Sequence, residues 1–320
     1  MAIPTLEDIR DARRRIAEYV HRTPQVSSRS VGEVLGTPVS LKLEVLQKTG
    51  SFKPRGAFNQ VLGLSDRERA AGVVGVSGGN YAQGLAFAGQ RLGVATRILM
   101  PENTPENYVQ ATRGYGAVVE FAPDMASIFT RAEELRDGGL TFLHPFDDLR
   151  MMAGNGTIGL EVLEDAPDVT DVFVSIGGGG LMTGIAAAIK EQRPGVRIWG
   201  VETVGADAMS RAMAAGEIVE IEITSIAKTL GAPWVSEDTL AAAGRYLEDV
   251  IVVEDAEAFA GIEMLMHRAK VVVEPAAGCT LAAAQRVAGA LGSHVVLILC
   301  GGNVSLGDLT AWGERFGSGA

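Results

Sequence analysis

The sequence predicts an α/β fold of two domains with helix-covered, mainly parallel sheets. Three observations predict it. Short apolar runs alternate with helical patterns, several of these runs end in glycine-rich turns, and 320 residues with 47% hydrophobic content can bury a large core. The predicted strands span residues 73–76, 95–100, 117–121, 172–175, 197–201, 250–253 and 295–300.

The overall composition agrees with a soluble cytoplasmic enzyme. The formal net charge of −11 argues against nucleic acid and anionic membranes as partners. No apolar run approaches membrane-spanning length, and residues 1–20 mix charges with an amphipathic helical pattern that lacks a signal core. Cys279 and Cys300 give no disulfide framework, and the four histidines lack metal-ligand spacing, so we expect no metal site.

The first element with chemical potential is the segment 49–59, which places Lys53 between Phe52 and Pro54. Proline suits the first turn of a helix, so Lys53 is predicted to lie at a helix start. Burial disfavours the charged form of a lysine, and the neutral amine can then act as a nucleophile or base, as Schiff-base lysines do. Taken alone, Lys53 favours the interpretation of an ordinary surface lysine, and only the other elements of the sequence overturn it.

The second element, the asparagine loop, spans residues 77–84 between an apolar run and a helical pattern at 81–92. The backbone N–H groups of a helix-opening loop can bind a carboxylate, and the Asn80 amide can hydrogen-bond a phenolic or carbonyl oxygen. Ser77, Gly78, Asn80 and Gln83 are therefore candidate residues for a substrate carboxylate. Serine and asparagine are also common helix caps, which is the simpler interpretation.

The third element, the glycine run, follows the apolar strand 172–175 and precedes a helical pattern at 182–190. It consists of Gly177, Gly178, Gly179 and Gly180, followed by Leu181. Glycines let successive N–H groups surround an anion, and a following helix adds its positive end. Dinucleotide and P-loop spacings are absent, so a single small phosphate is the favoured ligand. The alternative is a tight turn, for which four glycines are not required.

The fourth element is Cys300, which ends the apolar run 295–299 before the turn Gly301-Gly302-Asn303. Ligands of open parallel sheets bind at the carboxyl ends of strands. A neutral thiol at such a position could contact a heterocyclic nitrogen without protonating it. A buried cysteine that serves only as a small apolar residue is the alternative.

Together, these four elements resemble the pyridoxal-phosphate enzymes of fold type II, specifically the serine/threonine dehydratase group. The resemblance covers nearly the whole chain, in the order and spacing of the family's motifs. It also includes Arg22-Thr23-Pro24, Lys42-Leu43-Glu44, Met100-Pro101-Glu102, His144-Pro145-Phe146-Asp147-Asp148, Gly154-Asn155-Gly156-Thr157, Val201-Glu202 and Glu274-Pro275.

The resemblance implies pyridoxal 5'-phosphate as the cofactor, carried by Lys53 as a Schiff base. Residues 177–181 would bind the cofactor phosphate, Asn80 would hydrogen-bond the ring hydroxyl, and Cys300 would face the pyridine nitrogen. The implied reaction is α,β-elimination from a β-hydroxy amino acid, L-threonine or L-serine, to give a 2-oxo acid and ammonia. The freed Lys53 amine would take the α-proton, and the cofactor phosphate would protonate the leaving hydroxyl.

The resemblance also implies the domain organisation. A smaller domain at about residues 67–145 would carry the asparagine loop, and it would be inserted in a large cofactor-binding domain made of residues 1–66 and 146–320. Homodimers are common in the family, so we expect one here. The chain ends shortly after the last motif, so an appended amino-acid-sensing domain is not expected.

Four departures from the family pattern leave the substrate open. Gly78 stands where racemases carry a hydroxyl opposite the lysine, so racemisation is not expected. Tyr81 replaces the usual histidine, and Lys228-Thr229 stand where many members have Asp-Gly. The family's second carboxylate after Glu202 is Ala208, so a divalent-cation site is not expected.

Alternatives remain for both the substrate and the reaction. An aryl or acidic β-hydroxy amino acid, such as phenylserine or hydroxyaspartate, is an alternative substrate. A β-replacement synthase of the same fold is an alternative enzyme, although the context of Lys53 favours the dehydratase. A catalytically silent protein that senses the cofactor or an amino acid is an alternative of a different class.

Overall fold

The computed structural model describes residues 2–317. Its strands are β1 (Gln25–Ser27), β2 (Val39–Lys42), β3 (Val73–Val76), β4 (Thr96–Pro101), β5 (Val118–Ala122), β6 (Thr141–Leu143), β7 (Asp171–Ser175), β8 (Arg197–Thr203), β9 (Asp249–Val253) and β10 (Val295–Ile298). Its α-helices are α1 (Leu6–Ile16), α2 (Arg29–Leu35), α3 (Lys53–Leu62), α4 (Asp66–Ala71), α5 (Asn80–Leu92), α6 (Glu106–Gly114), α7 (Met125–Asp137), α8 (Leu149–Asp165), α9 (Gly180–Lys190), α10 (Ala208–Ala215), α11 (Glu237–Tyr246), α12 (Asp255–Met264), α13 (Pro275–Arg286) and α14 (Leu306–Phe316).

The strands form two helix-covered sheets. The larger sheet has the order β1-β2-β10-β7-β8-β9, and its pairings are parallel except that of β1 with β2. The smaller sheet has the order β5-β4-β3-β6 and is parallel throughout. These sheets confirm the predicted α/β class. The strands of the smaller sheet lie within residues 73–143, while the domain boundaries near residues 66 and 145 stay a prediction.

Helices cover both faces of the smaller sheet. Alternate residues of a strand face opposite sides, so Val73 packs in one apolar cluster with Phe58 of α3 and Leu85 of α5, whereas Val74 packs with Ile128 of α7. Within residues 2–317, no helix is both long and apolar enough to cross a membrane.

Glycines let the helices that lead to the candidate site approach closely. A Cβ on Gly154 of α8 would lie 2.4 Å from the Arg55 carbonyl oxygen in α3. A Cβ on Gly184 of α9 would lie 2.1 Å from the Met152 carbonyl oxygen in α8. Only glycine fits at such distances, so α8 fixes the positions of α3 and α9 relative to each other.

A buried ion cluster anchors the first turn of α3. It contains two cations, Lys42 and Arg55, and two anions, Glu44 and Glu161. Arg55 binds Glu44 through two 2.8 Å hydrogen bonds and Glu161 through bonds of 2.8 and 2.9 Å, while Lys42 Nζ lies 2.6 Å from Glu161. The two positive and two negative charges balance and the groups are hydrogen-bonded, which offsets the cost of burying them.

Three strands were not predicted from the sequence, namely β1, β2 and β6. Each has only three or four residues. The strand β2 is fully buried but ends in Lys42, and this charged residue interrupts the apolar pattern by which a buried strand is predicted. The last predicted strand ends at Ile298 rather than residue 300. Cys300 lies beyond the sheet because its carbonyl oxygen accepts a hydrogen bond from the Phe52 N–H instead.

Candidate active site

Lys53 is the first residue of α3, as the following proline predicts. Its Nζ donates a hydrogen bond to the Pro145 carbonyl oxygen at 3.0 Å and lies 5.0 and 5.5 Å from the ring centroids of Phe52 and Tyr81. Burial lowers the pKa of Lys53 from 10.5 to about 8 because it outweighs the opposing effect of nearby acidic groups. A neutral amine is therefore available close to physiological pH.

Asn80 begins α5 and is buried in a network with Glu274. Its Nδ2 donates to both carboxylate oxygens of Glu274, at 2.9 and 3.1 Å, and its Oδ1 accepts a bond of 2.8 Å from Asn303. The Thr229 hydroxyl donates to Glu274 at 2.9 Å. Burial raises the pKa of Glu274 to about 6, although the bonds from Asn80 and Thr229 oppose this rise. Glu274 is therefore mainly ionised at neutral pH.

Cys300 lies just beyond β10 and next to the end of β7. Its Sγ accepts a hydrogen bond of 3.4 Å from the hydroxyl of Ser175, the last residue of β7. Burial raises the pKa of the thiol to about 12, so the group is neutral at physiological pH. The carboxyl ends of two adjacent parallel strands thus meet at this point, where ligands of such sheets bind.

The glycine run forms the turn between β7 and α9, with Gly179 in the left-handed backbone region at φ 94°. A Cβ on Gly178 would lie 2.2 Å from the Phe146 ring, and one on Gly177 would lie 3.1 Å from the Leu230 carbonyl oxygen. The first N–H groups of a helix have no intrahelical partner and carry its positive end. The start of α9 can therefore bind an anion at a turn that only glycine fits.

Direct contacts connect these four elements. Lys53 bonds to Pro145, and the next residue, Phe146, packs on Gly178 of the glycine run. The charge of Lys53 interacts with both Glu274 and Cys300. Lys53, the Asn80 network, the thiol and the glycine run are therefore neighbours in one cluster.

The other candidate residues of the asparagine loop lie around the start of α5. The Ser77 hydroxyl accepts a hydrogen bond of 3.1 Å from the Gly79 N–H, and Gln83 is buried one turn along the helix. A Cβ on Gly78 would lie 2.7 Å from the Thr104 hydroxyl oxygen, so this position is closed to a larger residue unless Thr104 moves. The role of the loop toward a carboxylate stays a prediction.

Tyr81 presents its aromatic ring, rather than its hydroxyl, to Lys53. Its hydroxyl lies 3.0 Å from both Gln60 Oε1 and the Leu143 carbonyl oxygen and can donate to either. Burial raises the pKa of the phenol well above 10. The phenol therefore stays neutral beside Lys53, and its hydroxyl is held by Gln60 and the Leu143 carbonyl oxygen.

Sequence reasoning assigned no site role to Glu274, Phe146 or Asn303. A signal existed for Glu274, which is a lone carboxylate between the apolar run 271–273 and a helix-starting proline. Such a residue is a helix N-cap or a buried functional acid. No local pattern indicated that Phe146 would pack on the glycine run or that Asn303 would orient Asn80.

Glu202 has a different set of partners from that of a metal ligand. It is buried, and its two oxygens accept hydrogen bonds of 2.8 Å from the N–H groups of Met209 and Ser210 in the first turn of α10. Burial raises the pKa of Glu202 to about 8. Within residues 2–317, no group of three or more acidic, histidine or cysteine side chains is placed to bind a metal ion.

The residues of the site fit a small phosphorylated aldehyde. The amine of Lys53 can condense with an aldehyde, the start of α9 can bind a phosphate, and Asn80 can donate to a ring oxygen. Two hydroxyls in the segment that precedes Lys53, Thr49 Oγ1 and Ser51 Oγ, are buried without a hydrogen bond in the described part of the chain, and a bound ligand could supply one.

Comparison with known proteins agrees with this chemistry. The family model described as pyridoxal-phosphate dependent enzyme matches residues 16–301. The chain is 38% identical to an L-threonine ammonia-lyase of Thermotoga maritima, over 94% of this chain and 76% of that protein. It is 37% identical to a phenylserine dehydratase of Ralstonia pickettii, over 99% of this chain and 98% of that protein. The solved structure of maize serine racemase superposes with a TM-score of 0.92 at 34% identity, over 98% of this chain and 97% of that protein.

The resemblance inferred from the motifs is thereby confirmed, together with the fold and the cofactor. The family match spans most of the chain. The amine, the anion-binding turn and the amide donor of the site suit the same cofactor. The chain belongs to the pyridoxal-phosphate-dependent enzymes of fold type II.

Proposed function

We propose that the protein is a dehydratase that converts L-threonine or L-serine to a 2-oxo acid and ammonia. The observation that carries the proposal is Lys53, a helix-starting amine with a pKa of about 8 beside the thiol of Cys300 and the carboxylate of Glu274. Similarity to an L-threonine ammonia-lyase over 94% of the chain supports the same assignment.

The chain's own residues divide into binding and proton-transfer groups. Lys53 would hold pyridoxal 5'-phosphate covalently, residues 177–181 would bind its phosphate, Asn80 its ring oxygen and Cys300 its ring nitrogen. When bound, the cofactor withdraws electrons from the substrate's α-carbon. Because the thiol of Cys300 is neutral, it leaves the ring nitrogen unprotonated and favours prompt elimination.

The proton balance follows from Lys53. With the cofactor bound, the neutral Nζ of Lys53 would take the α-proton, and this proton and the β-hydroxyl together account for the one water that leaves. Ser77, Gly78, Asn80 and Gln83 would hold the substrate carboxylate meanwhile. Water returns when the released imine hydrolyses, so the net products are one 2-oxo acid and one ammonia.

The proposal is tested by assaying 2-oxo acid and ammonia with the cofactor-loaded protein. Equal amounts of both products from L-threonine or L-serine would support it. Product from O-acetylserine and sulfide instead would identify a β-replacement synthase. A bound cofactor with no turnover of any amino acid would favour the silent sensor, and conversion of L-serine to D-serine would contradict the inference from Gly78.

An aryl β-hydroxy amino acid is the second candidate substrate, and the 37% identity to a phenylserine dehydratase over 99% of the chain supports it. A cavity of about 350 Å³ adjoins Phe146, which packs on the glycine run; His144, Ile218, Trp234 and Val235 line it together with Asp147, Ser236, Glu237 and Asp238. The aromatic and apolar residues of this lining could bind an aryl group, whereas its three carboxylates disfavour an acidic side chain. A higher kcat/KM for phenylserine than for L-threonine would select this candidate. A higher kcat/KM for hydroxyaspartate than for phenylserine would exclude it.

Replacement of Gly178 by alanine is expected to weaken cofactor binding roughly ten- to hundredfold, because the new Cβ would overlap the Phe146 ring at 2.2 Å. Equilibrium titration of the cofactor-free protein measures this. Gly195→Ala is the matched control, since a Cβ there meets no atom within 4 Å. Equal affinity in both variants would contradict the assignment of the glycine run to the phosphate.

Three further features are proposed on the family resemblance. They are a homodimer, a cytoplasmic location and the division into a small domain at 67–145 within a larger one. Light scattering during gel filtration tests the dimer, and limited proteolysis with mass spectrometry tests the domain boundaries.

A further inference from the structure

Thr229 contacts the site from a segment that carries none of the four predicted elements. It lies in the 3-10 turn Lys228–Leu230 and donates its hydroxyl to Glu274 Oε1 at 2.9 Å. Its methyl group faces the asparagine loop, 3.8 Å from where a Cβ on Gly79 would lie. Thr229 therefore connects the segment between α10 and α11 with the start of α13 and the start of α5.

The geometry around Glu274 determines which way the Asn80 amide points. An ionised carboxylate only accepts hydrogen bonds, so Asn80 must present its Nδ2 to Glu274 and its Oδ1 to the Asn303 amide. The two oxygens belong to one carboxylate, so a single N–H that points between them can serve both. The second N–H of Asn80 is then free to donate to a ligand.

A protonated Glu274 would remove this constraint. Its O–H could donate to Asn80 Oδ1, and a flipped Asn80 amide, which places no donor toward the ligand, would become competitive once Asn303 also turns to accept from it. The hydroxyl of Thr229 opposes this change because it stabilises the ionised carboxylate. A glycine at this position, as the family pattern has, would provide no such bond.

We propose that Thr229 is a positioning residue, whose hydroxyl fixes the Glu274 carboxylate and thereby keeps Asn80 oriented to donate to the cofactor. The inference rests on the proposed function for the identity of that ligand. It assigns a role to one of the positions at which this chain departs from the family pattern.

Glu274 is the carboxylate of this network, and its ionisation changes near pH 6. The titratable groups whose charges interact with it are Lys53 of α3, Tyr108 of α6, Cys279 of α13 and Cys300 beyond β10. Burial raises the pKa of the tyrosine and of both thiols, which stay neutral below pH 8. The pKa of Glu274 is about 6 and that of Lys53 about 8, so Glu274 ionises before Lys53 loses its proton.

The test is cofactor affinity as a function of pH in Thr229→Val, which keeps the shape of the side chain but lacks the hydroxyl. Loss of one hydrogen bond to the carboxylate is expected to move the pKa of Glu274 upward by about one pH unit. The dissociation constant of pyridoxal 5'-phosphate would then rise roughly threefold at about pH 6.5 and match wild type at about pH 8.5. The acid limb of kcat/KM should move upward with it.

Thr229→Ser restores the hydroxyl and is expected to restore both profiles. Thr310→Val is the matched control, because it removes an exposed hydroxyl that bonds only within α14. An affinity loss in Thr229→Val that is equal at both pH values would show a packing defect and overturn the inference, as would no loss at all. Failure of wild type to bind the cofactor would instead refute the proposed function, and the inference with it.

Discussion

Replacement of Lys53 by alanine is expected to reduce turnover by at least about a thousandfold, since one amine both holds the cofactor and takes the α-proton. The visible absorbance of covalently bound cofactor should disappear as well. The fold should survive, because the side chain makes one hydrogen bond, to Pro145, whose loss costs about 1 kcal/mol. Absorbance spectra, the 2-oxo acid assay and denaturant unfolding measure the three effects.

Lys190→Ala is the control for general effects of lysine removal. Lys190 lies at the end of α9 and bonds only to the carbonyl oxygen of Pro194 at the surface. Its replacement should leave absorbance and turnover unchanged. A Lys53→Ala protein that keeps the visible absorbance would mean that a different amine binds the cofactor, and the proposed mechanism would be wrong.

Replacement of Arg55 by leucine is expected to lower the free energy of unfolding by about 3–5 kcal/mol. The guanidinium makes the four charge-assisted bonds to Glu44 and Glu161 in the buried ion cluster, and leucine would leave both carboxylates partly uncompensated. Urea unfolding followed by circular dichroism measures the change. Because Arg55 follows Lys53 by two residues in α3, cofactor affinity should fall as well.

Arg29→Ala is the matched control, because Arg29 also pairs with a glutamate, Glu33, but both side chains are exposed. Surface pairs contribute little to stability, so this variant should unfold almost like wild type. Similar losses in both variants would show that the buried cluster does not stabilise the protein more than a surface pair does.

The sequence was sufficient for features that are encoded locally. Pro54 predicts the helix start at Lys53, and the glycines that follow the apolar run 172–175 predict the passage from a strand to a helix. The alternation of apolar runs and helical patterns predicts the parallel sheets. Each of these signals lies in the predicted element itself or in its neighbours along the chain, so no tertiary information is needed to read it.

The partners of these residues could not be predicted in the same way. Asn80 and Glu274 are 194 residues apart, and Thr229 and Glu274 are 45 apart. The strand β2 escaped prediction because its lysine is neutralised by Glu161, which lies 119 residues further along the chain. Such contacts depend on which strands are adjacent, and propensity and periodicity carry no information about that.

The position of β10 has a consequence for biosynthesis. This strand is the last of the larger sheet in sequence, yet it lies between β2 and β7 and pairs with both. During translation, the antiparallel β1-β2 pair, whose strands are joined through α2, and the β7-β8-β9 unit therefore have exposed inner edges until β10 is made, and such edges are prone to pairing with other chains. Only when residues 295–303 leave the ribosome can the sheet close and Asn303 reach Asn80, so the cofactor site cannot be complete before that segment has been made.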